Sequence, residues 1–208
     1  MIQNIIFDMG NVLMFYDPKR YVDAHIENEA DRAIVLRELF HSVEWIRLDR
    51  GNITQEEAAA AVCARLPEHL HHKIPVLLDH WHEDIQPIPG IEALLQELHE
   101  KGYNTYVLSN TSTAYRQFRR RLPAISSFTG EFISADFGVL KPDLVIFHSF
   151  CEKFGLKPQT CMFIDDLPCN VEAATFVGMS GFLFRQDVPT LRKALREYGV
   201  DVETVMNA

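Results

Sequence analysis

Four stretches of this chain carry side chains that could do chemistry together. They are Asp8 in Ile5-Ile6-Phe7-Asp8-Met9-Gly10-Asn11-Val12-Leu13, Ser109 in Val107-Leu108-Ser109-Asn110-Thr111, Lys141 in Leu140-Lys141-Pro142-Asp143, and Asp165-Asp166 after Met162-Phe163-Ile164. Taken singly, each has a plainer reading. An Asp after an apolar run is a common turn or cap residue, Ser-Asn-Thr a common helix N-cap, Lys-Pro a solvated loop and Asp-Asp a surface turn. The set is more telling than its members. Phosphoryl transfer needs a carboxylate nucleophile, a hydroxyl and amides for the phosphoryl oxygens, a cation for developing charge and carboxylates for magnesium. All of these are present. Magnesium is a hard ion that prefers oxygen ligands, so Asp8, a backbone carbonyl in the Gly10 turn and Asp166 would suit it. Two adjacent buried carboxylates would also repel each other without a cation.

The elements that must position these groups can be read from pattern. Asn4 to Phe7, Thr105 to Leu108, Phe132 to Ile133, Cys161 to Ile164 and Gly181 to Phe184 are short, apolar and bounded by polar or turn residues, as buried strands are. Helical patterns lie between them. Ile91, Leu94, Leu95 and Leu98 repeat at helical spacing before Lys101-Gly102, and Leu144 to Phe154 stops at Gly155. Alternating strands and helices predict an α/β fold, a Rossmann-like parallel sheet covered by helices on both faces. Reactive groups of such folds collect at the carboxyl ends of the strands.

One region breaks the alternation. From Asp17 to Gln86 there are helical stretches without a convincing strand, among them Ala58 to Ala64, which the capping-box pattern Thr54-Gln55-Glu56-Glu57 opens. Pro87, Pro89 and Gly90 mark a linker where the alternation resumes. The expected organisation is a core of residues 1–16 and 87–208 with a helical cap, residues 17–86, inserted after the first strand.

Bulk properties narrow the partners. With 208 residues and 47% apolar side chains the chain can fill a sizeable core. A formal charge of −9 disfavours a general affinity for nucleic acid or anionic membrane, while a local basic group can still hold a phosphate ester. Cys63, Cys151, Cys161 and Cys169 have no CxxC spacing, which predicts reduced thiols. No leader-like or membrane-spanning run is present, and a soluble, cytoplasmic protein is expected, as monomer or homodimer.

In order and over nearly the whole chain, the four stretches resemble the motifs of the haloacid dehalogenase superfamily. The resemblance implies that Asp8 forms an aspartyl-phosphate, Ser109 and Asn110 bind the phosphoryl group, and Lys141 stabilises nucleophile and phosphate. It implies magnesium held by Asp8, the Gly10 carbonyl and Asp166, with Asp165 and Asn170 supporting the metal shell. The insert resembles that family's small helical cap, which closes over the site and selects the substrate. The first motif, Arg50-Gly51-Asn52-Ile53-Thr54 and Leu108-Ser109-Asn110-Thr111 look most like the bacterial sugar-phosphatase branch that includes glucose-1-phosphatase.

One position departs from the pattern. Most phosphatases of the family carry a second Asp two residues after the nucleophile as proton donor, and here it is Gly10. General acid/base catalysis is typically worth ~10²- to 10⁴-fold. A missing donor matters least for a stable leaving group, which favours a small sugar phosphate bearing its phosphate on the anomeric oxygen. Asp17, His25 or a bound water are the candidate substitutes. The other readings are a weakly catalytic phosphometabolite-binding protein and a carbon-halogen hydrolase. Phosphonate hydrolysis would need a desolvated lysine at Lys19 or Lys73, and a mutase would need the acid that Gly10 lacks. The histidines 69, 71, 72, 80 and 82 are read as a solvated or interface helix, and Arg116, Arg119, Arg120 and Arg121 as a solvated face. Phe40, Trp45, Ile46 and Leu48 are expected to pack the cap, with His41, Glu44 and Arg47 turned to the substrate.

Overall fold

The computed structural model describes residues 1–83 and 85–204; residue 84 and the last four residues of the expected core segment lie outside the described residues. Five strands, β1 (Asn4–Phe7), β2 (Asn104–Ser109), β3 (Gly130–Ile133), β4 (Cys161–Asp165) and β5 (Ser180–Leu183), form one sheet in the order β3-β2-β1-β4-β5. Every neighbouring pair is parallel. The central β1 is buried on both faces, so its apolar run is unbroken rather than alternating. Ile5 and Phe7 point into one core with Val107, Met162 and Ile164, while Ile6 points into the other with Leu108, Phe132 and Phe163.

Helices close both faces. On the first lies α6 (Ile91–Glu100), whose Ile91, Leu94, Leu95 and Leu98 form one buried stripe, together with α11 (Val188–Glu197). On the second lie α9 (Leu144–Phe154), which ends at Gly155 in a left-handed cap, and α10 (Pro168–Phe176). Phe147, Phe150 and Phe163 are fully buried there, each contributing roughly 1.5–3 kcal/mol.

Between β1 and α6 the chain is helical: α1 (Pro18–His25), α2 (Glu29–Val35), α3 (Val43–Arg50), α4 (Gln55–Cys63) and α5 (Ile74–His80). These helices have their own core of Val22, Val35, Leu39, Val62, Ile74 and Leu77. The two crossings into the α/β part lie side by side, because Phe15 N–H donates to Gln86 O at 2.8 Å and Ile88 N–H to Leu13 O at 3.0 Å. Thr54 opens α4 with a reciprocal capping box, as its sequence implies.

The short helices α7 (Tyr115–Phe118) and α8 (Ser134–Phe137) follow β2 and β3. Against α8 sits the end of α3, where Gly51 adopts φ +74° and a Cβ in its place would lie 2.2 Å from Ala135 O. Only glycine allows both that dihedral and that approach. Among the described residues no helix is long and apolar enough to cross a membrane, and all four cysteines are free thiols.

Candidate active site

In-register pairing brings the ends of β1, β2 and β4 together. Phe7 is level with Val107 and Ile164, so Asp8, Ser109 and Asp165 emerge at the same edge. Asp8 continues the ladder by donating its N–H to Ile164 O at 2.9 Å, which sets its carboxylate at the sheet's central strand. The switch in strand order falls here too, β2 lying on one side of β1 and β4 on the other. Such points open a crevice beyond the strands.

Lys141 fills the crevice floor. Its Nζ donates to Leu108 O at 3.1 Å and to Asp165 Oδ2 at 2.7 Å, and lies 2.7 Å from Asp8 Oδ1. The last contact is a buried ion pair. Burial opposes the ammonium charge, yet Asp8 and Asp165 outweigh it and hold the lysine protonated, above its ordinary range. Asn110, expected from the sequence to touch substrate, lines the cavity and uses its side-chain amide on Lys141's main chain. Its Nδ2 donates to Lys141 O at 2.9 Å, and its Oδ1 accepts from Lys141 N at 2.8 Å. It positions the lysine.

Asp165 is fully engaged. Its Oδ1 accepts from Leu167 N at 2.8 Å and Asn170 Nδ2 at 3.0 Å, while Oδ2 takes Lys141. Asp166 is more open and accepts from Asn11 Nδ2 at 3.3 Å. Asn11 sits at φ 55° in the turn after Gly10, a conformation asparagine tolerates. Burial pushes the Asp8 carboxyl up to about 6, Lys141 opposing and Asp165 reinforcing the rise. Asp166 is also raised, by burial and then by Asp165.

Carboxylate oxygens of Asp8, Asp165 and Asp166 lie within 4.8 Å of one another. Three carboxylates against one ammonium form an oxygen-only donor set that fits a hard divalent cation.

Above this corner is a cavity of about 280 Å³ lined by Asp8, Gly10, Ser109, Lys141, Asp166 and Asn170. Its opposite wall is aromatic. Tyr16, Trp45 and Trp81 meet edge to face, with ring centres 5.6 Å apart for Tyr16–Trp81 and 5.7 Å for Trp45–Trp81. Phe15, Met14 and Ile85 extend it. Trp45 therefore faces the site rather than only packing the cap. Of the polar neighbours expected to turn toward substrate, Glu44 is buried against Arg65, Nη2 to Oε2 at 2.6 Å, and His41 and Arg47 are exposed.

The expected substitute acids are not in this cavity. Asp17 caps α1, accepting from Arg20 N at 3.0 Å, and lines a neighbouring cavity. His25 is exposed at the end of α1, with Nδ1 against Tyr21 O at 2.8 Å. His82, read as solvated, is buried, meeting Gln117 Oε1 at 3.1 Å and stacking on Phe118. Arg116 and Arg119 pair with Asp136 and Glu131.

Sequence reasoning missed Asp49. It lies in the last turn of α3, is partly open to the cavity, and is otherwise surrounded by protein. Burial, reinforced by the nearby Asp8 charge and opposed by the Ser112 N–H, pushes its carboxyl up to about 7. A signal existed: an acid in a helix's last turn faces the negative end of the dipole, a local cost with no local return.

The haloacid dehalogenase-like hydrolase profile matches residues 2–178. The chain belongs to that family. Among its relatives are a flavin mononucleotide hydrolase of Arabidopsis thaliana, 27% identical over 80% of this chain and 66% of its own length, and a sesquiterpene phosphatase of Aspergillus oryzae, 27% identical over 89% and 91%. This chain thus spans just under two thirds of the flavin mononucleotide hydrolase. A family enzyme from Bacteroides thetaiotaomicron, solved with magnesium and inorganic phosphate, shares the fold with a TM-score of 0.69 at 20% identity, covering 92% of this chain and 99% of its own.

Proposed function

We propose that this hydrolase is a magnesium-dependent phosphatase that removes phosphate from small phosphorylated metabolites in the cytoplasm through an aspartyl-phosphate on Asp8. The observation that carries the reading is the convergence of Asp8, the Lys141 ammonium and the Ser109 hydroxyl on one cavity floor. A regulatory binder has no need of a carboxylate held against a buried lysine.

In this mechanism Asp8 attacks phosphorus, and Ser109 and Lys141 take the phosphoryl oxygens. Asn110 keeps Lys141 in place through both of its main-chain groups. Asp8, Asp166 and the Gly10 carbonyl would hold magnesium, which when bound offsets the charge of the phosphoryl group. Asp165 orients Lys141, and Asn170 orients Asp165.

The leaving group lies against the Tyr16, Trp45 and Trp81 wall. A sugar phosphate suits the motif resemblance, its ring packing a C–H face on indole. A second reading, a planar or apolar alcohol, is favoured by the scarcity of hydrogen-bonding groups on that wall and by the flavin mononucleotide hydrolase and sesquiterpene phosphatase among the relatives.

The test is phosphate release from a panel of sugar-1-phosphates, sugar-6-phosphates, flavin mononucleotide and prenyl phosphates, with magnesium or chelator. Turnover that needs magnesium and is lost in Asp8→Asn is expected. Equal release by wild type and Asp8→Asn would refute the mechanism, and the ranking of kcat/KM separates the two substrate readings.

A further inference from the structure

Gly10 removes the usual proton donor, and the carboxyl has to come from elsewhere on the cavity wall. A Cβ at Gly10 would lie 3.5 Å from Tyr16 Cβ and 3.9 Å from its ring, in ordinary contact with Tyr16. Tyr16 is no substitute, because burial and the nearby Asp49 push its phenol well above the usual range.

Asp49, on α3 of the helical insert, lines the same cavity. It lines the space with Asp8, Ser109 and Lys141 and is not one of the three carboxylates whose oxygens lie within 4.8 Å of one another. Two contacts with the core hold its backbone. Ser134 Oγ donates to Asp49 O at 2.5 Å and accepts from Thr111 N at 2.9 Å, tying α3 to the loop after β2. Two residues on, Gly51 is seated on Ala135 in a conformation and at a distance closed to other residues. This carboxyl lines the same cavity as the nucleophile, has no ion pair with a basic side chain among the described residues, and is the type of group that Gly10 lacks.

Resting on the phosphatase reading above, we infer that Asp49, supplied by the helical insert, is the general acid and base of this enzyme. As Asp8 attacks phosphorus and the P–O bond to the alcohol breaks, the Asp49 carboxyl gives its proton to the departing oxygen. The Asp49 carboxylate then takes a proton from water as that water's oxygen attacks the aspartyl-phosphate. The bond between phosphorus and Asp8 breaks, inorganic phosphate forms, and Asp49 is protonated again. The helical insert thereby completes the catalytic set as well as forming a wall of the cavity.

Leaving-group chemistry tests this. Asp49→Asn is compared with wild type on an alkyl phosphate, whose leaving oxygen needs a proton, and on 4-nitrophenyl phosphate, whose leaving group does not. The expected loss in single-turnover rate is roughly 10²- to 10⁴-fold on the alkyl ester and only a few-fold on the aryl ester. With the aryl ester the variant should release one equivalent of nitrophenol in a burst and then turn over slowly, since the base for the second step is missing. Equal losses on both esters, or none on either, would overturn the assignment. Wild type alone gives a second measurement that does not depend on the variant's folding. A shallow dependence of the first step on leaving-group acidity is expected across substituted phenyl phosphates, and a steep one would overturn it. Asp8→Asn should lose both esters; activity there would refute the phosphatase mechanism itself rather than the role of Asp49.

Discussion

The two walls of the catalytic cavity are built on opposite principles. The core wall is a dense charge network in which Lys141, Asp8 and Asp165 are buried within 2.7 Å contacts, and Asn110 and Asn170 use their amides to hold the charged groups. The wall from the insert and its hinge is mostly aromatic, with one carboxylate, Asp49. Buried charges tolerate little change, because a lost partner leaves a desolvated ion. An aromatic wall loses affinity by degrees. The core therefore constrains the reaction, while the insert can vary the substrate and, through Asp49, contributes a proton.

The largest effect that would sharpen this contrast is Lys141→Met. It leaves Asp8 and Asp165 buried without their cation, so urea denaturation should show a loss of about 3–5 kcal/mol together with loss of turnover. A fully stable variant would break the contrast. Next is Gly51→Ala at the seam between the walls. The left-handed backbone costs about 1–2 kcal/mol for a residue with a Cβ, and the Ala135 carbonyl must also move. Single-turnover rate on alkyl phosphates should fall more than on 4-nitrophenyl phosphate, because Asp49 shifts while Asp8 does not.

Smaller still is Trp45→Ala on the aromatic wall. Losing one aromatic contact is worth about 0.5–1.5 kcal/mol, or roughly a 2- to 10-fold rise in KM for a flat leaving group, with the chemical step little changed. The least effect belongs to the ion pair behind that wall. The hydrogen bond from Arg65 is the main cause holding the Glu44 carboxyl below its ordinary range despite burial. Such a depressed carboxylate stabilises the fold above its unfolded pKa, and the contribution is lost as pH falls through the folded value. Since Arg65 is over a third exposed, screening keeps this under about 1 kcal/mol. Urea midpoints of wild type and Glu44→Gln should converge as pH drops below the usual carboxylate range. A difference that persists unchanged to pH 2 would contradict it.

The core was legible because its signals are local. Each strand contains a short apolar run, and Asp8, Ser109 and Asp165 lie at or next to strand ends where the chain must turn. Parallel pairing then brings those ends together. The insert was legible as helices, through Thr54's capping box and the apolar spacing, but not as a wall of the site. Which face of α3 meets the cavity depends on how the helix docks. Trp45 and Asp49 were therefore read as packing or passed over, while Asp17 and His25 were favoured for chemical type alone. Asn110 shows the same limit within a motif, where its position was evident but its partner, Lys141's main chain, was 31 residues away.

By itself the sequence determined the parallel sheet, the helical insert and the charged groups at the strand ends, because apolar periodicity and turn chemistry act over a few residues. Tertiary structure alone decided that Asn110 holds the lysine and that Trp45, Trp81 and Asp49 face Asp8. The first contact joins loops 31 residues apart; the others depend on how two separately packed bodies meet, which a glycine against a carbonyl and a serine bridging α3 to the loop after β2 help to set.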